Sequence, residues 1–225
     1  MYYGLAKNEA YFANRVSVFV ALGSVTLLEN ATAGYLTYTS DNYEYVDNYL
    51  ALWNVHEIMA NKPYWWNLEY AAWCSANQDD CFIKGEASVT SNTEWDDEDR
   101  YFVYGNHNPS GASVRSLLFF AQNIKMNRFQ EWAPKFNQLD PLMNKRVTDE
   151  IPLESISKVP IAVFVGSDDI VATPTDGEWT VDQIGSAVFH YQVINGGHLS
   201  FVVGKDMTWF SNDVMNILAE YQPIT

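Results

Sequence analysis

The sequence predicts an α/β fold, in which helices flank a parallel sheet and a long, mainly helical segment is inserted between two strands. Three short apolar runs end at glycine-containing turns, and four other stretches repeat apolar residues at helical spacing. The first two apolar runs are separated by 137 residues, 23–159, which is far more than a simple crossover helix needs. Of the 225 residues, 48% are hydrophobic, which is enough for a substantial packed core.

The three predicted strands cover residues 16–22, 160–165 and 188–194. The first ends at Gly23, the second at Gly166 and the third at Asn195, which begins an Asn-Gly-Gly turn. The second run is apolar without interruption, as in strands that are covered on both faces. Such strands favour a parallel sheet over an antiparallel sheet with one wet face.

The helical stretches show apolar stripes with a period near 3.6 residues. They cover residues 1–14, 43–59, 113–126 and 209–221. Such stripes are far more often the core-facing sides of helices than ligand sites. We therefore assign no functional role to them.

The spacing of these elements predicts three parts in the chain. Residues 1–28 and 151–225 form the core, and residues 29–150 form an inserted cap. The cap holds six of the eight tryptophans and an acidic run at residues 94–99. We expect this run to be a solvated loop rather than a calcium site.

The charge of the chain limits its partners. With 28 acidic and 13 basic residues, the formal net charge is −15, so phosphate backbones and anionic membrane surfaces would repel it. Nucleic acid is therefore excluded as a partner. No apolar stretch approaches the roughly 20 residues of a membrane-spanning helix. The two cysteines have no histidine nearby, so we expect no zinc or other metal and no cofactor.

Two acidic residues and a histidine follow predicted strands. The segment GSDDIVATP, with Asp168 and Asp169, comes directly after the second strand, and NGGHLSF, with His198, comes after the third. The carboxyl ends of parallel strands meet at one edge of a sheet. An acid followed by a histidine is the second half of the Ser-Asp-His order of a hydrolase triad. The alternative from position alone is a loop histidine that caps a helix or bonds to backbone.

The sequence resembles the acid lipases, the gastric and lysosomal enzymes that cleave triacylglycerols and cholesteryl esters. The likeness rests on FVALGSVT at residues 19–26, HNPSGASV at 107–114, KVPIAV at 158–163 and the two loops above. It implies a partial α/β-hydrolase fold with an inserted cap. It also implies a lipid ester as substrate, and a secreted or lysosomal location if the full-length chain follows the family.

The resemblance assigns roles to individual residues. Asp169 matches the acid of the triad and His198 the general base, whereas Asp168 is expected to form a turn by bonding local backbone. Cys74 and Cys81 fall where the family has a disulfide; from the residues alone, a pair of reduced thiols stays open. His107 belongs to the cap signature and is expected to be structural.

Two further expectations concern the surface and the cap. Asn30 begins the glycosylation sequon Asn-Ala-Thr. The aromatic cap would cover the acyl-chain site, although most of its tryptophans are expected to be cap core: Trp53, Trp65, Trp66, Trp73 and Trp132.

The nucleophile of the family is missing from these residues. The family serine lies in a Gly-x-Ser-x-Gly elbow, and the nearest segment, at residues 111–115, lacks the second glycine. One interpretation is a lipid ester hydrolase whose serine segment lies upstream of Met1. The alternative is a catalytically inactive lipase-fold subunit with a structural or lipid-binding role in a larger assembly. In either case, we expect the missing half or a partner subunit to cover an exposed sheet edge.

Overall fold

The computed structural model of the chain describes residues 1–58, 72, 76–105, 111–134, 136 and 147–221. The strands are β1 (Phe19–Leu22), β2 (Glu57–Ile58), β3 (Ala112–Ser113), β4 (Ile161–Gly166) and β5 (Val188–Ile194). The helices are α1 (Tyr2–Ala13), α2 (Gly34–Asp41), α3 (Tyr43–Leu52), α4 (Gln78–Glu86), α5 (Glu98–Gly105), α6 (Val114–Met126), α7 (Pro174–Ile184), α8 (Ser200–Val203) and α9 (Met215–Tyr221).

The main sheet is parallel, which confirms the predicted fold class. Its strand order is β1-β4-β5, so the central strand is β4. Phe19 of β1 pairs with Ile161 of β4, and Gly166 of β4 pairs with Ile194 of β5. All six residues of β4 are buried, as its uninterrupted apolar sequence predicts for a strand with neighbours on both edges and helices on both faces.

Strand β4 sends alternate side chains into two separate cores. Ile161, Val163 and Val165 pack on one face with residues of α1 and α7. Ala162 and Phe164 pack on the other face with residues of the carboxyl-terminal helix. This alternation follows from the two-residue period of a strand, and it fixes the register with which β4 presents its carboxyl end.

Two predicted helices differ from the observed ones. The helix predicted over 43–59 ends at Leu52, because Asn54 takes a left-handed conformation with φ of 53° and the chain then enters β2. The helix predicted over 209–221 begins as a π-helical turn, Phe210–Val214, and continues as α9. The helices predicted over 1–14 and 113–126 match α1 and α6 within one residue.

The inserted region packs around α6. This helix contacts α2 and α3, and its buried residues form a core with Tyr43 and Phe136. Strands β2 and β3 pair antiparallel beside it. The boundaries predicted at 28/29 and 150/151 stay predictions. Within the described residues, no helix is both long enough and apolar enough to cross a membrane.

Candidate active site

The loops that follow β4 and β5 are held together by backbone hydrogen bonds. The amide of Ser167 donates to the carbonyl of Ile194 at 2.9 Å, and the amide of Asp168 donates to the carbonyl of Gly196 at 2.9 Å. A Cβ on Gly166 would lie 2.5 Å from the Gly196 carbonyl oxygen. The glycine therefore permits the close approach that brings the two loops to one edge of the sheet.

Asp169 and His198 meet at this edge, as the sequence predicts. The imidazole Nδ1 of His198 lies 2.8 Å from Oδ2 of Asp169. The other carboxylate oxygen, Oδ1, accepts hydrogen bonds from the backbone amides of Val171 and Ala172, each at 2.8 Å. Asp169 is only 3% exposed, so three donors surround a carboxylate that is shielded from water.

The geometry of the pair determines the proton on His198. Because Nδ1 faces a carboxylate oxygen, Nδ1 carries the proton in the neutral ring and Nε2 is left as the basic nitrogen. The side chain of His198 is 31% exposed. Among the described residues, no hydrogen bond involves Nε2. The pair thus has the orientation that lets a histidine act as a general base toward a hydroxyl placed at its exposed side.

The end of β1 also reaches the histidine. Gly23 directly follows β1 with φ of +62°, and its Cβ position lies 3.5 Å from Nδ1 and from Cε1 of His198. Ser24, the next residue, is buried, and its hydroxyl lies 2.8 Å from the hydroxyl of Tyr2 rather than against the imidazole. Burial raises the pKa of Tyr2 to about 12, so the Tyr2 hydroxyl stays neutral in this contact.

Among the described residues, no hydrogen bond joins the Asp168 carboxylate to His198. Its carboxylate accepts hydrogen bonds from side chains rather than from local backbone, which corrects the predicted partners. The donors are the indole of Trp95 at 2.9 Å and the hydroxyls of Ser167 at 2.7 Å and Ser91 at 3.2 Å. Two of these three residues belong to the cap region, so Asp168 ties the cap to the site.

The segment that contains the acidic run is not a solvated loop, so that prediction is wrong. Residues Thr93–Trp95 form a 3-10 turn, α5 begins at Glu98, and Asp96 is 1% exposed. Contacts with the core bury Asp96, whereas Glu94 and Asp99 at the ends of the run are exposed. The amide of Asp97 donates to the carbonyl of Val203, and the amide of Lys205 donates to the carbonyl of Trp95, both at 2.8 Å.

Thr90 makes a contact that the sequence did not indicate. Its hydroxyl donates to the carbonyl of Asp168 at 3.2 Å, and a Cβ on Gly197 would lie 2.0 Å from its oxygen. The neighbouring amide of Ser91 donates to the same Asp168 carbonyl at 2.9 Å. The cap therefore lies directly against the loops that follow β4 and β5. A threonine in a loop carries no sequence signal that would have identified this role.

Tyr35, at the start of α2, lies close enough to Asp169 for the charge of that carboxylate to affect it. Burial and, to a smaller extent, the negative charge of Asp169 raise the pKa of the Tyr35 phenol. The residue is nonetheless 42% exposed. A neutral phenol therefore lies near the buried carboxylate.

The remaining predicted sites have mixed outcomes. Cys81 is buried and is not a free thiol, but Cys74 lies outside the described residues, so their disulfide stays a prediction. His107 also lies outside the described residues. Asn30 is exposed, yet its side-chain amide donates to the buried carboxylate of Asp176 at 2.8 Å. Its glycosylation stays a prediction.

Two of the five cap tryptophans named above, Trp53 and Trp132, are among the described residues. Trp53 is 65% exposed at the end of α3, and Trp132 lines a cavity of about 740 Å³ between α3 and α6. Tyr43, Leu50 and Arg115 also line this cavity. Neither Asp169 nor His198 is among its lining residues. Three predicted acyl-site tryptophans lie outside the described residues: Trp65, Trp66 and Trp73.

About half of the chain is similar in sequence to known lipases. Over 125 residues it is 31% identical to the gastric triacylglycerol lipase of Rattus norvegicus, covering 54% of this chain and 31% of that protein. Over 132 residues it is 32% identical to the lysosomal acid lipase/cholesteryl ester hydrolase of Homo sapiens, covering 55% of this chain and 31% of that protein. The chain is similar in sequence to these two acid lipases. It matches about a third of the length of these acid lipases.

Two further comparisons add less. No protein-family model matches the chain. A solved structure, the alpha/beta hydrolase fold protein from Nakamurella multipartita, aligns with 97% of this chain and 64% of its own chain at 16% identity and a TM-score of 0.39. At this TM-score, the structural alignment adds nothing to the sequence similarity with the acid lipases.

Proposed function

We propose that the chain is the part of a lipid ester hydrolase that carries the acid and the general base of a Ser-Asp-His triad. The observation that carries this proposal is the 2.8 Å contact between Asp169 and His198 at the carboxyl ends of two parallel strands. The similarity to gastric and lysosomal lipases supports it. Their names indicate neutral esters, triacylglycerols and cholesteryl esters, as the substrate class.

In this proposal, Nε2 of His198 removes the proton from a serine hydroxyl as the serine oxygen attacks the ester carbonyl. The same nitrogen then gives that proton to the departing alcohol, leaving an acyl-serine that water hydrolyses in the reverse sequence. Asp169 stays ionised and stabilises the imidazolium that forms in each half of the reaction. Its two amide contacts hold the carboxylate so that only Oδ2 faces the ring.

The serine of the proposed triad lies outside these 225 residues. They contain no Gly-x-Ser-x-Gly motif, and no serine hydroxyl among the described residues hydrogen-bonds His198. Strand β1 is at the edge of the sheet, beyond which the described residues place no further strand. Such an edge accepts another strand readily. We therefore propose that the segment carrying the serine adds a strand beside β1, next to the end that reaches His198.

The test begins with the natural protein rather than with the isolated 225 residues. Its intact mass is measured, and it is then labelled with a fluorophosphonate, which reacts with activated serines. A mass above 25.6 kDa and a labelled serine are expected. In the same protein, His198→Gln should abolish labelling, whereas His190→Gln should retain it, because His190 bonds Gln192 on β5 instead.

The alternative is a catalytically inactive lipase-fold subunit, and the missing elbow motif is the observation that favours it. A mass of 25.6 kDa, no fluorophosphonate label and co-purification with other subunits would replace the enzyme by this alternative. Labelling that survives His198→Gln would also refute the proposed triad. A labelled protein that hydrolyses only short esters would keep the triad and refute the lipid substrate.

A further inference from the structure

Two carboxyl groups are buried against each other beneath the cap segment that contacts the loops of Asp169 and His198. Glu86, the last residue of α4, is 0% exposed, and Asp96, which follows the 3-10 turn, is 1% exposed. Apart from the other member of the pair, no N–H or O–H group among the described residues donates a hydrogen bond to any of their four carboxyl oxygens. A buried carboxylate without a donor is strongly destabilising.

A proton on one member of the pair resolves this problem. Two ionised carboxylates in contact repel each other, whereas a carboxylic acid donates a hydrogen bond to a neighbouring carboxylate. Burial, a hydrogen bond with Asp96 and the charge of Asp96 raise the pKa of Glu86 from 4.5 to about 9. Glu86 is therefore the member that holds the proton near neutral pH.

The helices around the pair bring aromatic groups to it. From α5, Tyr104 lies close enough for the charge of Glu86 to raise its pKa, although burial contributes more. The hydroxyl of Tyr101 on α5 lies against Gly85, where a Cβ would be 1.7 Å away. Helix α8, which packs on α5, contains no titratable residue.

The basic side chains of the neighbouring elements are engaged elsewhere. Lys84 pairs with Asp80 at 3.0 Å on the exposed side of α4. The guanidinium of Arg100 donates to the carbonyl of Gly204, and the ammonium of Lys205 donates to the carbonyl of Glu94. The other ionisable side chains that could carry charge near the pair are acidic: Asp79, Glu94, Asp97, Glu98, Asp99 and Asp206. No described cation therefore replaces the shared proton.

The pair joins the two ends of a segment that bears on both loops of the candidate site. Between Glu86 and Asp96, the amide of Ile170 donates to the carbonyl of Val89, and Thr90 and Ser91 bond the carbonyl of Asp168. Asp96 itself pairs with Gly204, which directly follows α8, and Thr90 lies against Gly197 of the His198 loop. Contacts to the Asp169 loop and to the His198 loop thus depend on one short segment, residues 86–96.

We propose that Glu86 and Asp96 are positioning residues that share one proton, and that this proton closes segment 86–96 over the Asp169 and His198 loops. When the proton is lost, the two carboxylates repel, and the segment is released from Asp168 and from the residues after α8. The two loops then lose the contacts that hold them from the cap side. The pair makes the order of the site depend on pH, without touching substrate.

Hydrogen exchange tests this proposal without any need for enzymatic turnover. Exchange of the amides in residues 86–97 is measured at several pH values and corrected for the intrinsic pH dependence of exchange. Because opening ionises Glu86, protection should be greatest at or below pH 4.5 and should fall as pH rises toward 9. The expected fall is at most about tenfold per pH unit.

Two variants separate a shared proton from simple packing. In Glu86→Gln, the amide donates to Asp96 at every pH, so protection of residues 86–97 should become nearly independent of pH. In Asp80→Asn, an exposed acid of the same helix is neutralised, and the wild-type fall should remain. A Glu86→Gln protein that keeps the wild-type fall would overturn the proposal.

The proposal can still be tested if a variant fails to fold. If Glu86→Gln is unfolded, Asp96→Asn removes the charge of the other member of the pair. Burial still raises the pKa of Glu86 in that variant, so the fall in protection should become smaller rather than disappear. If neither variant folds, the wild-type measurement decides, because protection that stays constant from pH 5 to pH 8 would overturn the shared proton. Activity measurements are not involved, so loss of the proposed hydrolase function would leave this result unchanged.

Discussion

Replacing Asp169 by asparagine should move the proton of the neutral His198 imidazole from Nδ1 to Nε2. In the structure, Oδ1 accepts two backbone amides and Oδ2 faces Nδ1 of His198. An asparagine must keep its carbonyl oxygen toward Val171 and Ala172, because both are donors. Its NH₂ group must then face Nδ1, which can accept this bond only by giving up its proton. The proton moves to Nε2, the nitrogen that a general base needs free.

The stability change can be worked out from the same contacts. A hydrogen bond to a charged group contributes about 1.5–3 kcal/mol and a neutral one about 1 kcal/mol. Two amide bonds to the carboxylate become bonds to a neutral oxygen, each losing about 0.5–2 kcal/mol, so the total loss is about 1–4 kcal/mol. The protein should therefore stay folded, and urea unfolding should show this modest decrease in the free energy of unfolding. If the full enzyme turns over ester, kcat should fall by about 10⁴, the effect of the wrong tautomer in a serine protease triad.

Nitrogen-15 NMR of the histidine side chains distinguishes the two tautomers directly. Asp168→Asn is the matched control, since Asp168 is adjacent but bonds Trp95, Ser91 and Ser167 instead. The control should leave the proton of His198 on Nδ1. If His198 keeps its proton on Nδ1 in Asp169→Asn, the reasoning from the three donors is refuted.

Three further changes have expected outcomes. Gly197→Ala places a Cβ 2.0 Å from the Thr90 hydroxyl, so it should lower the free energy of unfolding by about 1–3 kcal/mol and weaken the contact between cap and core, as measured by urea unfolding. Tyr2→Phe leaves the buried Ser24 hydroxyl without its partner and should lower the melting temperature through a loss of about 1 kcal/mol. After reduction with a thiol reagent, Cys81 should react with an alkylating agent only when the protein is unfolded, because the residue is 3% exposed. Mass spectrometry measures the alkylation.

The two stability changes have controls within the chain. Gly34→Ala should be neutral or slightly stabilising, because a Cβ there meets no atom within 4 Å. Tyr3→Phe alters a half-exposed tyrosine of the same helix, and its melting temperature should stay unchanged. If a variant and its control lose the same stability, the lost stability does not come from the contact named for that variant.

Much of the core and the contact between Asp169 and His198 could be predicted from the sequence. The apolar run of β4 is recognisable because a strand buried on both faces cannot alternate polar with apolar residues. Asp169 and His198 are recognisable as candidates because each closely follows a predicted strand, and parallel strands bring their carboxyl ends to one edge. Strand positions therefore predicted that an acid of the Asp168–Asp169 pair lies near His198, and the resemblance to the acid lipases selected Asp169.

The buried acids could not be predicted, because charge in a sequence ordinarily indicates solvent. Asp96 stands in a run of acidic residues that predicts an exposed loop, and only its contact with Glu86 and the cover from α5 and α8 bury it. Trp95 within the same run was the available signal, because an aromatic residue among charges often marks a buried anchor. The partner of that anchor, Asp168, lies 73 positions away, which no local pattern reveals.

The order of strands in the sheet has a consequence for how the protein forms. Phe19 pairs with Ile161, so two neighbouring strands are 142 positions apart in the chain. At a synthesis rate of about 5–20 residues per second, roughly 7–28 seconds pass between the synthesis of β1 and that of β4. During that time its apolar residues have no β4 to join. We expect slow folding that is limited by this long-range pairing, and a newly made chain that depends on chaperones until β4 arrives.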